Sequence, residues 1–147
     1  MALKWAKGKY TVQNPDKYVG KRHPTFRSSW ELSFMTFCDN HPSVLQWASE
    51  AIAIPYKNPL TGKISRYVPD FFIVYLDKDG VKHADIIEIK PSHETGSKKT
   101  RSQRTAYVIA KNHAKWAAAK AYCGQAGMNF RLLTENEMFH MGQRRWN

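Results

Sequence analysis

The chain has 147 residues, a length that suits one domain around one hydrophobic core. Hydrophobic residues make up 42% of it, with five Trp, seven Tyr and seven Phe, which excludes a disordered polymer. Twenty-three Lys and Arg against twelve Asp and Glu give a formal charge of +11, which points to a polyanionic partner, nucleic acid before an anionic membrane surface.

No run approaches the roughly 20 apolar residues of a membrane helix. Met1 to Tyr10 carries three lysines and no apolar stretch of the signal-peptide kind. Neither a lipidation motif nor a basic amphipathic helix is present, so no membrane partner is expected. Cys38 and Cys123 lack a C-x-x-C context and the six His are scattered, which argues for free thiols in a reducing compartment and against a zinc site. A soluble, non-secreted protein is expected.

Residues 1–26 are polar, basic and broken by Pro15, Gly20 and Pro24, and read as an extended basic arm ahead of a single domain over 27–147. A helix follows: Ser28 and Glu31 have capping-box spacing, and Trp30, Phe34, Phe37 and Cys38 recur at helical period until the Asp39-Asn40-His41-Pro42 stop. Ala51 to Tyr56 reads as a short strand and Asn58-Pro59-Leu60-Thr61-Gly62 as a turn. Ser65 to Leu76 reads as one long buried strand. Asp77-Lys78-Asp79-Gly80 is a tight turn into a strand over Asp85 to Lys90. Residues 92–105 form a polar loop. An Ala-rich helix over 107–126 carries Trp116, Ala119, Cys123 and Ala126 on one stripe and ends at Gly127. Asn129 to Leu133 is a last strand, and Thr134 with Glu137 caps a short terminal helix. This order indicates an α/β domain with a central mixed β-sheet flanked by helices.

The chemistry concentrates in Pro69-Asp70 and Glu88-Ile89-Lys90. Side chains at i and i+2 of a strand share a face, so Glu88 and Lys90 point one way while Ile87 and Ile89 point into the core. A hairpin through Asp79-Gly80 lays Asp70 beside Glu88. Two converging carboxylates suit a hard divalent cation such as Mg²⁺, completed by water and a substrate phosphate. Such an ion polarises a phosphodiester and lowers the pKa of a bound water, and Lys90 can orient that water or stabilise transition-state charge. Pro-Asp and Glu-x-Lys are common by chance. Three features favour the functional reading: Asp70 interrupts an apolar stretch where an acid needs a partner, Glu88 sits between Ile87 and Ile89, and the chain as a whole is strongly basic. Lys98, Lys99, Arg101 and Arg104 follow the second strand and read as a clamp on DNA phosphates. Asn112 and Lys115, in the helix behind the loop, are candidates for contact with DNA or with the site, while Trp116 reads as core.

The pattern resembles the signature of the PD-(D/E)xK nuclease superfamily, with seventeen residues between Asp70 and Glu88. More narrowly, Phe26-Arg27-Ser28-Ser29-Trp30-Glu31, Tyr67-Val68-Pro69-Asp70-Phe71, Ile87-Glu88-Ile89-Lys90-Pro91, Asn112-His113-Ala114-Lys115-Trp116 and Phe130-Arg131-Leu132-Leu133-Thr134-Glu135 resemble the head-completion nucleases of tailed phages. The same order is similar to the nuclease domain of TnsA-type transposon end-cleaving proteins. The resemblance implies a restriction-endonuclease-like core, Asp70 and Glu88 as metal ligands for Mg²⁺ or Mn²⁺, and Lys90 as catalytic lysine. It also implies that Glu31 is an accessory acid, a role that competes with simple helix capping; Glu50 is a weaker candidate for it. Gln103-x-x-x-Tyr107 is similar to a motif of some related exonucleases and is a weak candidate in this basic loop.

The reading is a metal-dependent DNA endonuclease with little sequence preference, acting in phage head completion with head, portal or neck proteins as partners, in the host cytoplasm and the virion. The alternatives are a non-catalytic DNA-binding virion assembly protein and a transposon-end or junction-resolving nuclease. The sequence sets no oligomeric state.

Overall fold

The structure, a computed structural model, describes residues 7–95 and 103–138. In chain order its elements are β1 (Gly8–Lys9), β2 (Thr25–Phe26), α1 (Ser29–Asn40), β3 (Val44–Ser49), β4 (Ile54–Lys57), β5 (Ile64–Tyr67), β6 (Phe71–Leu76), β7 (Lys82–Ile89), α2 (Gln103–Ala126), β8 (Asn129–Leu133) and α3 (Glu135–Met138), with 3-10 turns at Pro15–Lys17 and Ser92–Glu94. No described helix is long and apolar enough to cross a membrane.

A central mixed sheet has the order β3-β6-β7-β8, its first two pairings antiparallel and β7-β8 parallel. Helix α1 starts where Ser28 Oγ accepts the Glu31 N–H at 3.1 Å, and it buries Trp30, Phe34, Met35 and Cys38. These pack with Val44, Trp47, Phe71, Ile73, Ile87, Ile89 and Leu133 into the larger core. A smaller core joins Ile54, Tyr56 and Tyr67 of the β4-β5 hairpin to Trp116 and Ala119 of α2, with Phe130 and Leu132 against it. Strand alternation thus divides the sheet: Leu133 joins one core, Phe130 and Leu132 the other. Asp85 is fully buried between the strands, accepting from Tyr75 Oη at 2.8 Å and Asn129 Nδ2 at 3.2 Å, with Arg131 at 3.6 Å.

Three expectations need correction. The long strand over Ser65 to Leu76 is two strands with different partners, because Val68-Pro69-Asp70 interrupts it and Pro69 has no N–H for a ladder. Asp70 therefore stands at the entrance of β6 rather than inside a strand. Strand β3 precedes the expected Ala51 to Tyr56 segment, of which β4 keeps the end; Trp47, Ala48 and Ser49 are buried in succession, so the alternation that marks a half-buried strand is missing. Ala126 is exposed, and Asn112 extends the buried stripe of α2 in the other direction.

The contacts of the N-terminal arm are a finding of the structure. Residues 7–26 hold little regular structure, yet their backbone is docked on the domain. Tyr10 is buried and donates to Asp39 Oδ2 at 2.6 Å, and the Gln13 and Asn14 amides donate to the same carboxylate at 2.7 and 3.0 Å. Lys17 Nζ bonds the carbonyls of Asp39 and His41 at 3.0 and 2.9 Å, placing a cation at the helix C-terminus. An acid in a last helical turn opposes the helix dipole, so these donors are what hold Asp39 there.

Burial raises the pKa of Asp39, but hydrogen bonds from Tyr10, Gln13 and Asn14 outweigh it and hold the carboxyl below its usual range. A depressed acid stabilises the fold above its unfolded pKa and loses that contribution as pH falls through the folded one. Asp39→Ala should cost roughly 2–4 kcal/mol in urea unfolding at neutral pH, through two stranded amides and a lost charge-assisted bond. The gap between variant and wild type should narrow on acidification below the ordinary carboxylate range.

Candidate active site

The β6-β7 hairpin sets the geometry. Asp77 closes its turn by accepting the Asp79 and Val81 amides at 2.8 and 3.0 Å, and Gly80 takes the φ of +79° that the turn requires. The resulting register pairs Phe71 with Ile87, which puts Asp70 across from Glu88. The Ile89 amide donates to Asp70 Oδ2 at 2.9 Å. Glu88 is 6% exposed, its Oε1 accepting from Tyr67 Oη at 2.8 Å, and Tyr67 packs with Trp116 in the smaller core. Lys90 Nζ lies 3.9 Å from Glu88 Oε2.

These groups open on a cleft of about 230 Å³ between the start of β6, the end of β7 and the entry to α1, where Arg27, the N-cap Ser28 and Glu31 line it. Both Glu31 oxygens engage the helix start, Oε1 at 3.4 Å from the Arg27 amide and Oε2 at 3.3 Å from Ser28 Oγ. Glu31 thus completes a capping arrangement while its charge faces Asp70. Glu50 lies outside this cleft. It pairs with Arg27, its amide donates to the Asp70 carbonyl at 2.9 Å, and its φ of +50° is the one positive value among described non-glycine residues.

The acids are held in an environment that disfavours their charge. Burial, then the charges of Glu88 and Glu31, push Asp70 well above the usual carboxylate range against the opposing Ile89 amide and Lys90. Burial also raises Glu88, opposed by Tyr67, Lys90 and Lys115, and burial raises Glu31. Such a site is short of positive charge. Among the described residues no group of three or more His, Cys, Asp and Glu could hold a metal ion. The donor set nonetheless fits Mg²⁺, which is commonly held by one or two carboxylates and keeps water and phosphate as its other ligands.

Glu31, Asp70, Glu88 and Lys90 are therefore brought together. The proposed DNA contacts are not treated alike. Lys98, Lys99 and Arg101 lie outside the described residues. Arg104 and Gln103 are exposed at the start of α2, and Tyr107 is half-buried, its hydroxyl 3.4 Å from Asn58 Nδ2. Asn112 is 6% exposed on the inner stripe of α2, a position that meets the protein interior instead of a DNA surface. Lys115 is half-buried with Nζ 5.9 and 5.6 Å from the rings of Tyr56 and Tyr67. Its charge acts on Glu88 and Asp70 from behind the two tyrosines, and it does not line the cleft itself. Sequence reasoning missed Tyr67, Arg27 and Glu94 as neighbours of the acids. Tyr67 lies three residues before Asp70, but the signal there was an aromatic strand.

A mixed sheet flanked by helices, with two acids and a lysine meeting at the ends of an antiparallel pair, defines a restriction-endonuclease-like domain. The model of the TnsA-like endonuclease N-terminal family matches residues 41–135, and the chain belongs to this family. It is similar to the head completion nuclease of Enterobacteria phage T4, with 34% identity over 146 residues, covering 92% of this chain and 95% of that relative.

An acid whose folded pKa is raised contributes stability that is fully present below its unfolded pKa and lost as pH rises through the folded one. In EDTA, the Tm of the wild type should therefore fall as pH rises from the acid range towards neutral on account of this pair. Asp70→Asn should melt higher than the wild type at neutral pH, and the difference should vanish in acid. A variant that melts lower at neutral pH would show that the pair is not under electrostatic stress.

Proposed function

We propose that the protein is a divalent-metal-dependent endonuclease that hydrolyses DNA phosphodiester bonds, a member in mechanism of the PD-(D/E)xK class. The observation that carries the reading is the convergence of Asp70 and Glu88, both with raised pKa values, beside Lys90 in one open cleft. Asp70 and Glu88 would hold Mg²⁺, with Mn²⁺ as a substitute. When bound, the ion would polarise the scissile phosphate and acidify a water in the site.

The chain's own groups then have distinct tasks. The Ile89 amide and Tyr67 hydroxyl fix one oxygen of each carboxylate, so both acids are oriented before substrate arrives. Lys90 orients the attacking water, or neutralises charge that develops on the phosphate as the water oxygen bonds phosphorus and the leaving oxygen departs. Arg27 and Lys115 add positive charge on two sides. Glu31 acts as an accessory acid beside Asp70 while capping α1.

Similarity to a head completion nuclease supports a role in phage head completion, on packaged DNA and beside head, portal or neck proteins, in the host cytoplasm and the virion. The cluster 98–104 serves as a phosphate clamp in this reading.

Supercoiled plasmid should be nicked with Mg²⁺ or Mn²⁺ and left intact in EDTA. Asp70→Ala and Lys90→Ala should each lower the rate by about a hundredfold or more, as loss of a preorganised charge does elsewhere. Asp70→Ala should keep its salt-dependent DNA affinity in EDTA. Binding by the wild type without cutting under any metal would instead identify a DNA-binding assembly protein.

A further inference from the structure

A second groove, of about 620 Å³, adjoins the acidic cleft, and Arg27 lines both. Four cations, Lys21, Arg22, Arg27 and Arg66, meet there with one acid, Glu50, which is already paired with Arg27. The active-site cleft is the opposite, with Glu31, Asp70, Glu88 and Glu94 against Arg27 and Lys90. We propose that this groove binds the sugar-phosphate backbone of the DNA strand leading away from the scissile phosphate, with Arg22 and Arg66 as phosphate contacts. The proposal rests on the nuclease reading and adds to it the path of the substrate.

The groove is built by the fold rather than by an accident of surface lysines. One wall is the loop after Tyr18. The Val19 amide donates to the Trp47 carbonyl at 2.9 Å, and the Tyr18 ring lies 4.7 Å from that of Trp47. Tyr18 Oη donates to the Arg22 carbonyl at 2.6 Å, so the loop curls back over its own tyrosine. Gly20 makes this possible, since a Cβ there would lie 2.4 Å from Tyr18 Oη. The loop is thereby held with Lys21 and Arg22 along the groove. The other wall is the β4-β5 hairpin, where Arg66 is exposed opposite Pro55 and Val68 is 39% exposed. The floor is Ser49 to Ala53.

Glu50 joins floor and catalytic cleft. Its backbone occupies the left-handed region, uncommon for a residue with a side chain, and in that conformation its amide reaches the Asp70 carbonyl while its carboxylate meets Arg27. The basic groove and the metal-ligand acid are thus tied through one residue. A polyanion following the cations arrives at the acids, where its charge is unwelcome unless a cation is present. The arrangement therefore joins backbone binding to metal-dependent cutting.

The test compares Arg22→Gln/Arg66→Gln with Lys78→Gln/Lys82→Gln. The second pair removes the same charge at the exposed far end of the β6-β7 hairpin. Binding of a fluorescein-labelled duplex is followed by anisotropy in EDTA across a salt titration, and plasmid nicking is measured in Mg²⁺. The groove variant should reduce the slope of log K against log salt by about 2, and Arg66→Gln alone by about 1, whereas the distal pair leaves it nearly unchanged. Affinity should fall about tenfold in the groove double variant, and nicking at sub-saturating protein should fall with it, whereas the distal pair keeps both near the wild-type level. Equal changes in the two pairs, or none in the groove pair, would overturn the groove while wild-type nicking upholds the nuclease. A wild type that neither binds nor nicks would remove the nuclease reading and the groove with it. A matching Tm confirms that each variant is folded.

Discussion

The register between β6 and β7 is the constraint on which this protein depends. Pairing Phe71 with Ile87 sets Asp70 opposite Glu88, and a slip of one residue would turn one strand's side chains to the other face. It would take Ile87 and Ile89 out of the larger core, so hydrophobic burial and the pairing of the two acids demand the same alignment. The Asp77 turn fixes it at one end, and the Ile89 amide on Asp70 fixes it at the other. Packing and chemistry are enforced by the same hydrogen-bond ladder.

Around that ladder the protein keeps opposite charges in separate compartments. The acids are gathered where burial raises their pKa values, and cations are arranged at the edges, with Lys90 on the strand, Lys115 across the tyrosines and Arg27 at the mouth. Acids gathered in this way disfavour one another's charge, and a bound cation would relieve them, which accords with the metal site proposed above. The surrounding fold is held by the larger core, where α1 covers one face of the sheet, and by the hydrogen bonds around Asp39 that bind the N-terminal segment to α1.

Much of the framework was legible because its signals are local. The Ser28 cap, the 77–80 turn, the left-handed Gly127 and the bounds of β8 follow from short-range rules and are found in place. Strand β3 was not legible, because Trp47, Ala48 and Ser49 are buried in succession after an exposed Gln46, and the alternation that identifies a half-buried strand is lost. The break at Pro69 was visible as a residue but not as an event: aromatic and β-branched residues run on both sides of it, and the change of partner strand is a long-range fact. The Tyr67 to Glu88 bond, across 21 residues, belongs to the same category.

The sequence by itself determined the residue types of the site, the face shared by Glu88 and Lys90, the starts of α1 and α3, and the excess of positive charge. These depend on the side-chain period of a strand, on capping chemistry and on composition, none of which needs the rest of the chain. Only the tertiary structure decided that Asp70 stands at the entrance of β6, that residues 7–26 are docked to the domain, that Asn112 is interior and Lys115 faces the acids, and that Arg22, Arg27 and Arg66 share one groove. Each of those facts is a contact between segments distant in sequence, fixed by which buried surfaces pack together, and no local pattern encodes it.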